Sequence, residues 1–337
     1  MRILDFKYYL LNKNDDFKKE LMCVEKCSVE YNSLTRLKSS ASMSIGEGKD
    51  IDYFNDRIKI ICRLNGKEYP LGIFLICSPS RTISTRVTRT LTLYSKLHIL
   101  EDDKVLERYF VSKGINVVNE CKRILGDYKV SITESDKVTG SNREWPIGTE
   151  KIEIINDLLS SINYTSLRVD GNGYYTADPY ILPTDKEVDF IYEPGIDGIM
   201  MKDMEDEIDL FSVPNTVIRY TNNADINPPL RAVYENNNAD SPTSIVNRGR
   251  RIVDVEEVAD AADYATLMAA CKKAAYELTD KYSHIEFQTA INPEHGYMNC
   301  IILKNHDIND KYIETSWSFD CAVGGKMKHT CRKVVNI

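Results

Sequence analysis

The stretch DRIKIICRLNGKEYPLGIFLI, residues 56–76, constrains the fold more than any other. Ile58, Ile60, Cys62 and Leu64 alternate with charged residues and Ile61. Asn65-Gly66 then supplies the positive φ angles of a tight two-residue turn, and a second apolar run follows. The next segment, TRVTRTLTLYSKL, alternates again. Val87, Leu91 and Leu93 fall on one side and Thr88, Thr90 and Thr92 on the other, the pattern of a half-buried antiparallel strand. Residues 1–103 therefore read as a β domain.

The period changes after residue 103. NVVNECKRIL places Val117, Val118, Cys121, Ile124 and Leu125 on one helical face and ends at Gly126. TEKIEIINDLLSSI does the same with Ile152, Ile155, Leu158, Leu159 and Ile162, and Thr149 is the expected N-cap. Residues 104–165 thus read as a small helical or mixed domain. Strands resume in 166–337, at YTSLRV, GYYTAD, EVDFIYEP, NTVIRYTNN, HIEFQTAI, YMNCIILK and YIETSWSFDCAV. Residues 222–250 are rich in Asn, Pro and Ser and read as a long loop or extended arm. One helix is expected near 262–280, with Leu267, Cys271, Ala274, Ala275 and Leu278 on one face. The fold class is α+β, mainly β.

At 337 residues the chain has room for two or three domains and needs no disulfide or metal to hold a core. Its net charge of -8 argues against a protein that grips nucleic acid, which usually carries a basic excess. The N-terminus MRILDFKYYLLNKNDD is broken by Asp5 and Lys7 and does not read as a signal peptide. The longest apolar run, YPLGIFLICSP, is too short for a membrane helix, so no stable membrane insertion is expected. Nine cysteines without paired spacing read as reduced, buried small hydrophobes of a cytoplasmic chain. Twenty tyrosines against nine phenylalanines suit large protein contacts.

Chemical motifs are weak. SLRVDGNGYYTADPY, residues 166–180, spaces Asp170, Asn172, Tyr174, Thr176 and Asp178 like calcium ligands. A calcium loop starting at Asp170 needs Gly at its sixth position and Glu at its twelfth. Tyr175 and Ile181 stand there, so Asp-Gly reads as a hairpin turn. Cys23 and Cys27, and the later set Cys321, His329 and Cys331, lack the two close pairs of a structural zinc site. GEGKD (46–50) and GGKM (324–327) lack the spacing of a phosphate loop. The acidic run KDMEDEIDLF (202–211) and the basic runs NRGRR (247–251) and KMKHTCRK (326–333) fit self-association or a charged neighbour. No catalytic, cofactor-binding or metal-ligating residue is assigned, and no cofactor is expected.

The segments DRIKIICRLNGKEYPLGIFLICSPSR, RTLTLYSKLHILEDD, EWPIGTEKIEIINDLLSSINYTSLRVDGNGYYTADPY, DLFSVPNTVIRYTNN, NNADSPTSIVNRGRR and YIETSWSFDCAVGGKMKHTCRK carry a family likeness. In that order, over nearly the whole chain, they resemble the baseplate hub proteins of bacteriophage tails and phage-tail-like particles. The resemblance implies two β-barrel-like domains of the tail-tube fold with a small domain between them. It implies a homotrimeric ring that matches the sixfold tail tube, or a distal tail protein, above. Below, the ring meets the threefold spike, fibre or other baseplate proteins. A tape-measure protein in the lumen and DNA in transit are further implied contacts, and the virion tail tip is the implied location, after assembly in the host cytoplasm. Some relatives carry a wall-cleaving domain after this module; the sequence ends at Ile337, so none is expected here. The bore is expected to be neutral to acidic. Two other readings compete. A wall hydrolase would use a carboxylate such as Glu144 or Glu294, paired with another about 5–9.5 Å away. A receptor- or sugar-binding module would expose Trp145 or Trp317 in a pocket, against the plainer reading of both as core or interface residues.

Overall fold

The computed structural model describes residues 2–46, 50–195, 198–208, 213–222, 228–258, 260–279, 283–305, 308–335 and 337. Residues 47–49 of GEGKD and 209–211 of the acidic run lie outside them. The protein is mainly β, as the alternation requires. The Asn65-Gly66 turn forms with both residues at positive φ, 52° and 85°. It joins the strands Arg57–Leu64 and Lys67–Ile83. These belong to a 13-stranded sheet, and among the described residues it is open rather than closed into barrels.

The order of that sheet is informative. From one edge run Phe17–Glu20, Leu4–Leu11, Arg57–Leu64, Lys67–Ile83, Val87–Ser95, Ser39–Gly46 and Val24–Asn32. Next, antiparallel to Val24–Asn32, comes Ile308–Asp320 from the far end of the chain. Lys326–Lys333, Ser283–Ala290 and Met200–Ile208 complete the path, while Phe190–Tyr192 and Cys300–Asn305 branch from Ile308–Asp320. The two halves also share a core: Val29, Met43, Ile58, Phe74 and Leu91 pack with Trp317, Phe319 and Met327.

The helix-bearing module packs its own core, from Leu97 to Ala177. Helix Val117–Leu125 is capped by Asn116, whose side chain accepts from the Asn119 amide at 2.9 Å. Helix Lys151–Ser161 differs from the expectation. Its N-cap is Glu150, and the Thr149 hydroxyl donates instead to the Pro146 carbonyl. Residues 222–250 differ too: they contain the strand Arg231–Glu235, between Asn- and Pro-rich flanks that obscure it in the sequence. This strand, Thr216–Tyr220 and Val253–Glu257 form a small sheet. Helix Tyr264–Leu278, capped by Asp263, covers it through Leu267, Cys271 and Ala275. No described helix is long and apolar enough to cross a membrane.

A buried charge joint ties the helical module to the main sheet. Lys96, only 2% exposed, donates to the Asp15 carboxylate at 2.5 Å and to the Gly173 carbonyl at 3.2 Å. Arg57 donates to the other Asp15 oxygen at 2.5 Å, and the Tyr175 hydroxyl donates to the Lys96 carbonyl at 2.9 Å. Burial alone would raise the Asp15 pKa, but the two cations outweigh it and hold the carboxyl below its usual value. Beside this joint the 170–174 turn runs so close to the sheet that a Cβ on Gly171 would lie 2.0 Å from the Pro70 carbonyl oxygen. Gly171→Ala is therefore expected to lower unfolding free energy by about 1–3 kcal/mol. Urea denaturation followed by tyrosine fluorescence will measure it.

Candidate functional site

The strands flanking the seam between the chain halves bury one face and leave the other to solvent, the usual state of an antiparallel sheet. Inward go Val29, Ala41, Met43, Leu91, Leu93, Trp317, Phe319 and Met327. Outward go hydroxyls and charges in registered rows. One row runs Gln288, Lys328, Ser318, Glu30, Ser40, Tyr94 across six strands. A second runs Asp320, Ser28, Ser42, Thr92, Ser78. A third runs Ser44, Thr90, Ser80. Two adjoining depressions of about 500 and 470 Å³ make this face concave. Their linings carry the carboxylates Glu30, Asp203, Glu205, Glu286 and Asp320 but only two ammonium groups, Lys326 and Lys328.

Behind the face lies a buried polar cluster. Strand Ile308–Asp320 carries a β-bulge: Glu314 pairs with Cys331, and Ser316 with Thr330, leaving Thr315 as the extra residue. In sequence Glu314 shares the parity of the outward Ser316 and Ser318. The bulge turns it inward, where it is 1% exposed. His295 Nδ1 lies 2.6 Å from one carboxylate oxygen and His329 Nδ1 lies 2.6 Å from the other. The Tyr192 hydroxyl meets His295 Nε2 at 2.6 Å, and the Thr289 hydroxyl meets His329 Nε2 at 2.8 Å. Asn292 in turn donates to the Tyr192 oxygen at 3.1 Å. Phe190 stacks on His295 and Phe287 on His329.

This partner set assigns the protons: each imidazole donates from Nδ1, and the hydroxyls donate to Nε2. Burial works against the Glu314 charge, yet hydrogen bonds from both imidazoles outweigh it and hold the carboxyl below its usual value. Burial depresses His329, and Glu314 restores only part of that loss. Ligand type would allow a metal here, since these atoms lie within 4.8 Å of one another. The 2.6 Å N···O contacts are hydrogen-bond lengths, however. A shared tetrahedral ion with bonds of about 2.0–2.2 Å holds such atoms about 3.4 Å apart. The cluster is a buried hydrogen-bonded network.

The residues singled out from sequence fall elsewhere. Asp170 caps its own turn, accepting from the Asn172 and Tyr174 amides at 2.9 and 2.8 Å, so this loop is a turn. Cys321 lies beside Cys27; that contact, and then burial, push its thiol far above the ordinary range, the wrong state for a metal ligand. Glu144 pairs with Arg108, and Glu294 accepts from the Tyr69 hydroxyl beside Lys67. Trp145 and Trp317 are each 5% exposed. The Trp145 indole donates to Asp157, and Trp317 stacks between Tyr31 and Phe319. Both are buried core residues rather than exposed aromatic platforms.

Glu314→Gln replaces one acceptor by an amide N–H₂ facing an imidazole N–H. Breaking a buried pair in this way is expected to cost about 3–5 kcal/mol at neutral pH. Both depressed groups give stability that is present above their ordinary pKa and lost as pH falls. The wild-type midpoint should therefore drop from near pH 6.5, the ordinary value for His329, and faster below 4.5, that for Glu314. Denaturant melts across that range will check both; an acid-insensitive wild type would contradict the assignment.

No family model and no curated protein sequence matches this chain. Solved structures do. A tail protein from Neisseria meningitidis MC58 superposes with a TM-score of 0.71 at 12% identity, over 97% of this chain and 96% of that one. The 43 kDa tail protein of prophage MuSo2 from Shewanella oneidensis gives 0.64 at 10%, over 97% and 98%. The E. coli c3393 protein gives 0.52 at 7%, over 99% and 75%; it is a type VI secretion component described as similar to the T4 tail proteins gp27 and gp5. At these identities the likeness concerns the fold: the chain shares the fold of these phage tail proteins, in agreement with the likeness to phage tail proteins read from the ordered sequence segments.

Proposed function

We propose that this protein is the structural hub of a phage tail or tail-like particle, and that its polar concave sheet face lines the exit channel. The observation that carries this reading is the continuity of that face across both chain halves. Residues 1–103 contribute seven strands to the sheet and residues 166–337 contribute six, making up the 13. We take these as two tube-like domains, with 104–165 as the smaller domain between them. Three copies would then present six such domains to a sixfold tube and keep threefold symmetry toward a spike or fibre. The neighbouring solved structures, named as tail proteins, support this placement in a virion tail tip, where the partners are other tail and baseplate proteins. The role is assembly rather than catalysis.

The chemistry of the face suits a conduit. DNA carries one negative charge per about 1.7 Å of axis, and fixed cations would retain it. Serine and threonine hydroxyls keep a water layer without fixed charge, and carboxylates outnumber ammonium groups by five to two in the two depressions.

Analytical ultracentrifugation of the purified chain is expected to give a species of three times 38.5 kDa. A strict monomer at micromolar concentration, also outside the particle axis by electron microscopy, would sink the reading. Replacing the registered pair Ser42 and Thr92 by Arg should leave the fold intact but create salt-sensitive DNA retention in filter binding, which the wild type lacks.

A further inference from the structure

The strand ladder that joins the two chain halves runs from Ser316 opposite Asn32 to Asp320 opposite Ser28. The next position in that register sets Cys321 opposite Cys27, and the Cys321 amide donates to the Cys27 carbonyl at 2.8 Å. Opposite residues of an antiparallel pair point to the same face, with Cα atoms about 4.5–5.5 Å apart. A disulfide spans Cα separations of about 4.4–6.8 Å. Both side chains join the core shared by the halves, Cys27 buried and Cys321 half-buried against it. Tyr8 lies against both.

The pair stands at the open end of the ladder. After Cys321 the chain turns, with the Ala322 amide donating to the Asp320 carbonyl and the Gly325 amide to the Ala322 carbonyl. On the facing strand the pairing with Ser39–Gly46 becomes irregular between Val24 and Lys26. Both thiols are free in this structure. The contact with Cys27, and then burial, keep Cys321 protonated. Thiol–disulfide exchange needs one thiolate at a time, so this slows a reaction between the two sulfurs without blocking it.

We propose that Cys27 and Cys321 are a modification site: with a small-molecule disulfide as oxidant they close a bond that staples the two chain halves together. One sulfur of the pair, as thiolate, attacks the small disulfide and displaces one of its halves. The second sulfur then displaces the other half and gives up its proton. Two thiols become one S–S bond, the oxidant is reduced to two thiols, and the two protons pass to the displaced halves. The loop closed runs from residue 27 to residue 321, so the bond removes much of the freedom of the unfolded chain. The inference does not depend on the hub reading.

The test incubates the reduced, intact chain with oxidised glutathione under native conditions, blocks it with iodoacetamide and maps its non-reduced peptides by mass spectrometry. The expected product is a linked pair of peptides containing Cys27 and Cys321, about two mass units lighter than the two reduced peptides together. Its melting midpoint should lie about 5 °C or more above that of the reduced chain, and dithiothreitol should reverse both changes. Cys321→Ser, at a half-buried position, should fold and lose both responses to the oxidant; Cys27→Ala should do the same and covers the case in which serine disturbs the core. Three results would each overturn the assignment: Cys27 and Cys321 left alkylated or carrying glutathione after prolonged oxidation, either of them linked instead to Cys23 or Cys62, or an unchanged midpoint in the linked protein.

Discussion

One extra residue in one strand organises much of this molecule. Strand Ile308–Asp320 keeps Lys326–Lys333 on one side throughout. On its other side it pairs first with Cys300–Asn305, through residues 308–313, and then with Val24–Asn32, through residues 316–320. The bulge at Thr315 falls between the two, where the partner changes. A bulge bends its strand and shifts side-chain parity by one. Both effects are used. The bend lets a strand from the end of the chain reach one from its beginning. The parity shift puts Ser316 and Ser318 outside and Glu314 inside.

An inward carboxylate at that corner carries a desolvation penalty of several kcal/mol. His295 and His329 answer it, one from the loop after Ser283–Ala290 and one from the neighbouring strand. Tyr192 and Thr289 satisfy the remaining ring nitrogens. The network therefore reads four separate segments and is complete only when all of them are placed. Apolar residues of similar volume would stabilise the corner as well. They would not demand the same register, which is the specific gain a buried polar network offers.

Local signals made the elements legible and the joints opaque. The Asn65-Gly66 turn announces its hairpin because only positive φ closes it. The faces of Val117–Leu125 and Tyr264–Leu278 follow from a 3.6 period and from Asn116 and Asp263 caps. The outward rows are half visible as the alternating Ser and Thr of residues 39–46 and 87–95. The pairing of Val29 with Phe319 was not, because nothing within either strand specifies a partner 290 residues away. Glu314 was hidden for a related reason. Its parity in the sequence is that of the outward residues, and only the bulge reverses it.

The placement of charge follows from the same division of faces. The chain is acidic overall, yet among its buried charges the cations Lys38, Arg57, Lys96, Arg143, Arg219 and Arg332 outnumber the carboxylates Asp56, Glu120, Asp260 and Glu314, all under a tenth exposed. Long side chains can bury their stems and still carry a donor to a distant acceptor, which a carboxylate cannot do. Long cations therefore reach across module boundaries, as Lys96 does, while the buried carboxylates Asp15 and Glu314 are each held by two converging donors. At Asp15 the joint has its anion, and two cations converge on it.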